Sequence, residues 1–176
     1  EMSIYAAFAL ISQMCAEANE GHFELGTWTD PVHKDIRNDR APFFPIAIYL
    51  VDDRIYVRGD FSNEGYLSPG DQIVSINGHS DQLILDHLRK FVPSDGYIET
   101  YRDRQIATSF PWLYYLYISQ TRQFNIEYIP RSGGEVKQAI TFGLTRGQRK
   151  SNAIRRYTIP PPKEKSTRDL YTVEFK

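Results

Sequence analysis

Residues 65–80 read GYLSPGDQIVSINGHS, from Gly65 to Ser80, and two turn signals enclose a short alternating run. Pro69-Gly70-Asp71 makes a tight turn into the run, because proline presets φ and glycine accepts the positive φ that most residues avoid. "DQIVSI" then reads as a strand, with Ile73 and Ile76 flanking Val74. Asn77-Gly78 follows at once, and both residues tolerate the positive φ of a tight hairpin turn. Ser80 is a natural N-cap for a helix, and Asp81 beside it sits against the positive end of that helix dipole. Ile84, Leu88 and Phe91 give this helix its apolar face.

Working outward, the period of two continues on both sides. "FPIAIYL" (44–50) and "RIYVRGDF" (54–61) are strand-like, with Asp52-Asp53 as the hairpin turn between them. "QFNIEYI" and "EVKQAITFGL" alternate as strands around "PRSGG". Between the two strand groups, "VPSDG" breaks the helix, and "YIETYRDRQIATS" and "FPWLYYLYIS" read as further helical turns, with Pro111 near a helix start. At the front, Ser3 to Asn19 reads as a helix with Ile4, Phe8, Ile11 and Cys15 on one face and Gly21 as its left-handed cap. "HFELGTW" looks like a short strand and "TDPVHKDIRNDRAP" like a loop. From Arg146 to Asp169 the chain is basic, polar and proline-rich, which reads as a linker. "LYTVEF" near the C-terminus reads as one more strand. The order predicts an α+β fold around a small antiparallel sheet or partial barrel.

Composition narrows the functions. A chain of 176 residues buries roughly 70% of its unfolded surface and needs no disulfide staple. A net charge of -1 argues against a dedicated nucleic-acid binder, although Arg146, Arg149, Lys150, Arg155 and Arg156 form a local basic run. Cys15 is the only cysteine, so neither an intrachain disulfide nor a multi-cysteine zinc site is available. His33, His79 and His87 show no ligand spacing, and no metal or cofactor is expected. No apolar run has the length of a membrane span. The 12 Tyr and 10 Phe fit a β-rich core, and "FPWLYYLYIS" fits core packing beneath inserted helices.

The string Leu67, Pro69, Gly70, Asp71, Ile73, Ile76, Asn77, Gly78, followed by an amphipathic helix, resembles the PDZ domains of bacterial processing proteases. The wider chain resembles the front half of a tail-specific, or C-terminal processing, serine peptidase of the tricorn-like branch. "ALISQMCAEANEGHFEL", "PFFPIAIYLVDDRIYV", "DQLILDHLRKF" and "YTVEFK" carry that likeness. The resemblance implies a cap over residues 1–41 and a PDZ-like domain over 42–145, with a helical insertion at about 92–119. A linker over 146–169 and the first strand of a catalytic domain over 170–176 follow.

It also implies a site. PDZ domains add an extended peptide to a sheet edge. Here the peptide would lie between the strand Phe44–Leu50 and the helix from Asp81, touching Phe44, Ile46, Ala47, Ile48, Ile84, His87 and Leu88. Phe43-Phe44-Pro45 departs from the glycine-containing carboxylate loop of the family, and Pro45 has no N–H to donate. His22 stands where the tricorn-like branch carries its general base, a role suited to a side chain that titrates near neutrality. Gly21 replaces an orienting serine. No Gly-x-Ser-x-Gly elbow is present. The expectation is a non-catalytic, substrate-recognising portion whose partners are a peptide or unfolded protein and a separate catalytic domain, in a periplasmic, extracellular or lipoprotein setting. The alternative is a free-standing PDZ-like binding or scaffold protein without enzymatic activity.

Overall fold

In the computed structural model of the chain, the described residues are Met2 and residues 4–18, 34–93 and 99–157. They form an α+β fold with the element order α1 (Ile4–Glu17), α2 (Lys34–Arg37), β1 (Ile46–Val51), β2 (Arg54–Asp60), β3 (Gln72–Ile76), β4 (His79–Ser80), α3 (Asp81–Leu88), α4 (Glu99–Tyr117), β5 (Gln123–Ile129), β6 (Lys137–Phe142) and α5 (Arg146–Tyr157). The sheet is antiparallel, with strands in the order β1-β2-β3-β5-β6 and the two-residue β4 paired to β3. A bridge between Phe43 and Leu144 draws the two ends of this order toward closure.

The opening stretch sets the centre of this sheet. Gly70 takes φ +94°, which returns the chain so that Gly70 N–H donates to the Val57 carbonyl and Val57 N–H to the Asp71 carbonyl, each at 2.8 Å. Asp71 is buried, and its carboxylate accepts from Ser68 N–H at 2.8 Å and from Arg131 N–H at 2.9 Å. It therefore ties the turn into β3 to the turn after β5. Asn77 and Gly78 have φ of 51° and 81°, as the hairpin between β3 and β4 requires. Asn77 also spans to β5: its Oδ1 accepts from Asn125 N–H at 2.8 Å. Asp52 and Asp53 adopt positive φ between β1 and β2. Asp and Asn carry this conformation more readily than bulkier residues.

Ser80 is the N-cap of α3, and its hydroxyl accepts from Leu83 N–H at 3.3 Å. Asp81 is buried beside it, with Arg54 Nη1 at 3.2 Å. Ser80→Ala is expected to cost about 1 kcal/mol, the usual value of an N-cap, and a urea melt measures it. A change below about 0.3 kcal/mol would show the cap to be replaced by water.

Four sequence expectations change. Residues 146–157, read as linker, form α5. None of its residues is fully buried, although Arg149 is half-buried, and the helix is held by polar contacts rather than by an apolar stripe. Asn152 Nδ2 donates to the Phe61 carbonyl at 2.8 Å, Arg156 to the Asp60 and Asn63 carbonyls, and Tyr157 Oη accepts from Asp60 N–H at 2.9 Å. The Arg149 guanidinium lies over the Phe61 ring, and burial lowers its pKa to about 10. Next, Pro111 lies inside α4 and not at a helix start. The two helical stretches are one helix, in which the proline cannot donate to the Ala107 carbonyl. Third, α1 buries Phe8, Ser12 and Ala16, whereas Ile11 is 46% exposed. The small Ser12 and Ala16 lie on the same side as Phe8, which packs with Tyr115 and Leu116 of α4. Finally, Lys34–Arg37 inside the expected loop is a short helix that buries Ile36.

Candidate functional site

The expected groove has two walls, and α4 packs against both of them, β1 on one side and α3 on the other. Ile106, Phe110 and Tyr114 of α4 are almost completely buried, in one core cluster with Phe44, Ile46, Ile48, Ile84 and Leu88. The Phe44 ring sits 5.5 Å from Phe110, 6.1 Å from Tyr114 and 5.1 Å from Phe124, centroid to centroid. Five of the predicted peptide-contacting residues are therefore brought together, but as core. The two others stand apart from that cluster. Ala47 is half-buried, adjacent to a register shift in β1. His87 is half-buried, and its Nε2–H donates to the Tyr117 carbonyl at 3.0 Å. In this tautomer the ring closes the C-terminal end of α4. Tyr117 stacks on Phe91 at 4.3 Å. "FPWLYYLYIS" is core, with Phe110, Leu113, Tyr114, Tyr115 and Leu116 all buried.

The N-terminal half of α4 is held by charge. Arg89, just past α3, pairs with Asp103 of α4 at 3.0 Å, with Asp86 at 3.6 Å and with Asp53 of the β1–β2 turn. Burial works to lower the Arg89 pKa, but hydrogen bonds and charge from Asp53 and Asp103 outweigh it and hold the guanidinium above its ordinary value. One cation thus joins α3, α4 and the β1–β2 turn. Burial also raises the Tyr114 phenol, so that side chain stays neutral well beyond physiological pH. The sequence did not point to α4 as the filler, because its apolar residues have no clean helical period. The density of aromatic residues in "FPWLYYLYIS" was the one available signal.

His22 and His33 lie outside the described residues, as do Gly21, the expected strand "HFELGTW" and residues 158–176. Among the described residues no group of three or more His, Cys, Asp or Glu is placed to hold a metal ion. Also among them, no helix is long and apolar enough to cross a membrane.

No family model matches the chain, nor does any curated protein. Among solved structures, the fold matches that of CPAF, a chlamydial serine protease of tail-specific-protease-like type. Mature CPAF complexed with lactacystin aligns with 80% of this chain at 11% identity and a TM-score of 0.54. A CPAF mutant also aligns with 80% of this chain, at 11% identity and a TM-score of 0.52. Each alignment covers 25% of the CPAF chain, so this chain spans about a quarter of the length of those it matches. At such identity the likeness establishes a shared fold.

Proposed function

We propose that the chain is the non-catalytic, PDZ-like portion of a serine peptidase of the tail-specific class. The observation that carries this reading is the order of elements. The hairpin β1–β2, the Pro-Gly-Asp turn, β3, the Asn-Gly turn and α3 stand in the succession of the PDZ-like module of that class. The shared fold with CPAF supports it. Proteolysis is assigned to a catalytic domain elsewhere, with His22 as its candidate base and a peptide or unfolded protein as substrate. The setting is periplasmic or extracellular.

The filled groove favours a second reading of the module's role. With α4 between β1 and α3, the sheet acts as a rigid spacer or scaffold, and a peptide cannot reach Phe44, Ile46 or Ile84 without expelling α4. Expelling three large side chains costs several kcal/mol at about 1.5–3 kcal/mol each, which is comparable with the roughly 8 kcal/mol that a micromolar peptide contributes in total.

Two measurements test this. The isolated chain is expected to leave denatured casein intact. Cleavage that disappears on mutating one of its own serines would end the non-catalytic assignment. Titration with peptides bearing free C-terminal carboxylates is expected to leave the backbone amides of Ile46–Val51 unshifted. Saturable shifts there would restore the open-groove receptor.

A further inference from the structure

With α4 along β1, the far end of the sheet remains. β6 is the last strand of the order, and among the described residues no backbone group pairs with its outer edge. Gly143 N–H donates to the Arg122 carbonyl at 2.8 Å. By strand alternation, the N–H groups of residues 137, 139 and 141 then face β5, and those of Gln138, Ile140 and Phe142 face outward. The side chains alternate as well. Ala139 and Thr141 are buried on the inner face, whereas Val136, Ile140 and Phe142 are each 51% exposed. Thr141 Oγ1 donates to Glu64 Oε2 at 2.9 Å, which holds a carboxylate beside the inner face of the strand. Lys137 is exposed on the same strand.

We propose that β6 is an interface between two copies of this chain, joined as an antiparallel β6–β6 pair whose two-fold axis passes through Ala139. An unpaired edge recognises another extended strand, and an antiparallel strand pair related by a two-fold is self-complementary. Outward-facing residues must oppose one another, so the axis passes through a residue and not between two, and residues 139 and 140 are the two at the centre of β6. An axis at Ile140 sets Val136 opposite Leu144, whose backbone is already paired with Phe43. The axis at Ala139 keeps the ladder within residues 136–142. It sets Val136 opposite Phe142 of the second copy, Gln138 opposite Ile140, and Lys137 opposite Thr141.

The last pairing selects a second copy over any other strand. Lys137 of each copy meets the region where Thr141 of the other holds Glu64, so two ion pairs form by symmetry and no like charges face each other. A single strand pair is smaller than the roughly 1,600 Å² of a standard interface, which places this dimer in the weak, concentration-dependent class.

Sedimentation equilibrium of the 176-residue chain tests this, run from about 10 μM to about 1 mM, the range in which weak interfaces associate. A reversible monomer–dimer equilibrium is expected. Ile140→Lys and Phe142→Lys, both at exposed positions, are expected to weaken it about tenfold or more, as each places a charge in a desolvated pair. K137E and E64K are each expected to weaken it, and the double swap K137E/E64K to recover most of the loss. Thermal melts of every variant confirm that the monomer is folded. Because E64K also removes the Thr141 bond, the Ile140 and Phe142 variants form an arm independent of it. A chain that stays monomeric throughout, a dimer indifferent to Ile140→Lys, or a double swap no tighter than its single variants would each overturn the proposal.

Discussion

Phe110→Ala is expected to destabilise the chain by about 3–5 kcal/mol, the usual cost of removing a buried aromatic ring. Phe110 is fully buried, faces Phe44 edge-on and lies 5.9 Å from Tyr114. Its removal leaves a cavity where α4 meets the sheet, which the Phe44 and Phe124 rings cannot fill without leaving their own contacts. Tyr101, on the same helix but 39% exposed, gives the contrast. Tyr101→Ala is expected to stay within about 0.5 kcal/mol. Urea denaturation of both variants measures the difference. A Phe110→Ala cost below about 1 kcal/mol would show that α4 is loosely seated, and the filled groove would then be an accessible one.

The second large effect belongs to the peptidase reading. In a full-length peptidase containing this chain, His22→Ala is expected to lower kcat by about 10² to 10⁴, the usual contribution of a general base. Thermal stability should stay within about 0.5 kcal/mol, since a general base acts on the rate and not on the fold. The two quantities separate the roles: a histidine that only follows a helix costs neither rate nor stability. If kcat stays within about threefold, far short of a general-base loss, His22 is not the base. Gly21→Ser supplies an orienting hydroxyl and is expected to leave kcat equal or higher.

The parts of this fold that were legible in the sequence are those fixed by local chemistry. Asn77-Gly78 and Asp52-Asp53 adopt positive φ because their short side chains permit it, so the turns and the strands between them follow from a few residues each. Ser80 is likewise readable, since an N-cap is satisfied within three residues. What was not legible depends on contacts across the chain. The helix α5 has no apolar stripe because it is docked through Asn152, Arg156 and Tyr157 onto the backbone near Asp60, and such bonds leave no period. The buried side of α1 differs from the expected face because Ser12 and Ala16 are small rather than large and apolar, and small size matters only against a neighbour. The candidate groove shows both cases at once. Its walls were recognised from their own sequence, whereas its occupant, α4, became visible only when Ile106, Phe110 and Tyr114 were seen between them.

The pairing of β3 with β5 has a consequence for assembly. Asn77 and Asn125 are bonded across these strands although 48 positions separate them, and α3 and α4 lie within that span. Closing so long a loop costs about 2 kcal/mol more entropy than closing a four-residue hairpin, by the logarithmic dependence on length. The local β1–β2 hairpin carries no such penalty and is the natural early structure. The segment that must return for β5 to pair with β3 carries α4, so closing this loop also brings α4 back toward β1. On this order the groove is filled by the same return of the chain that completes the sheet. Its occupant arrives with the strand that completes the fold.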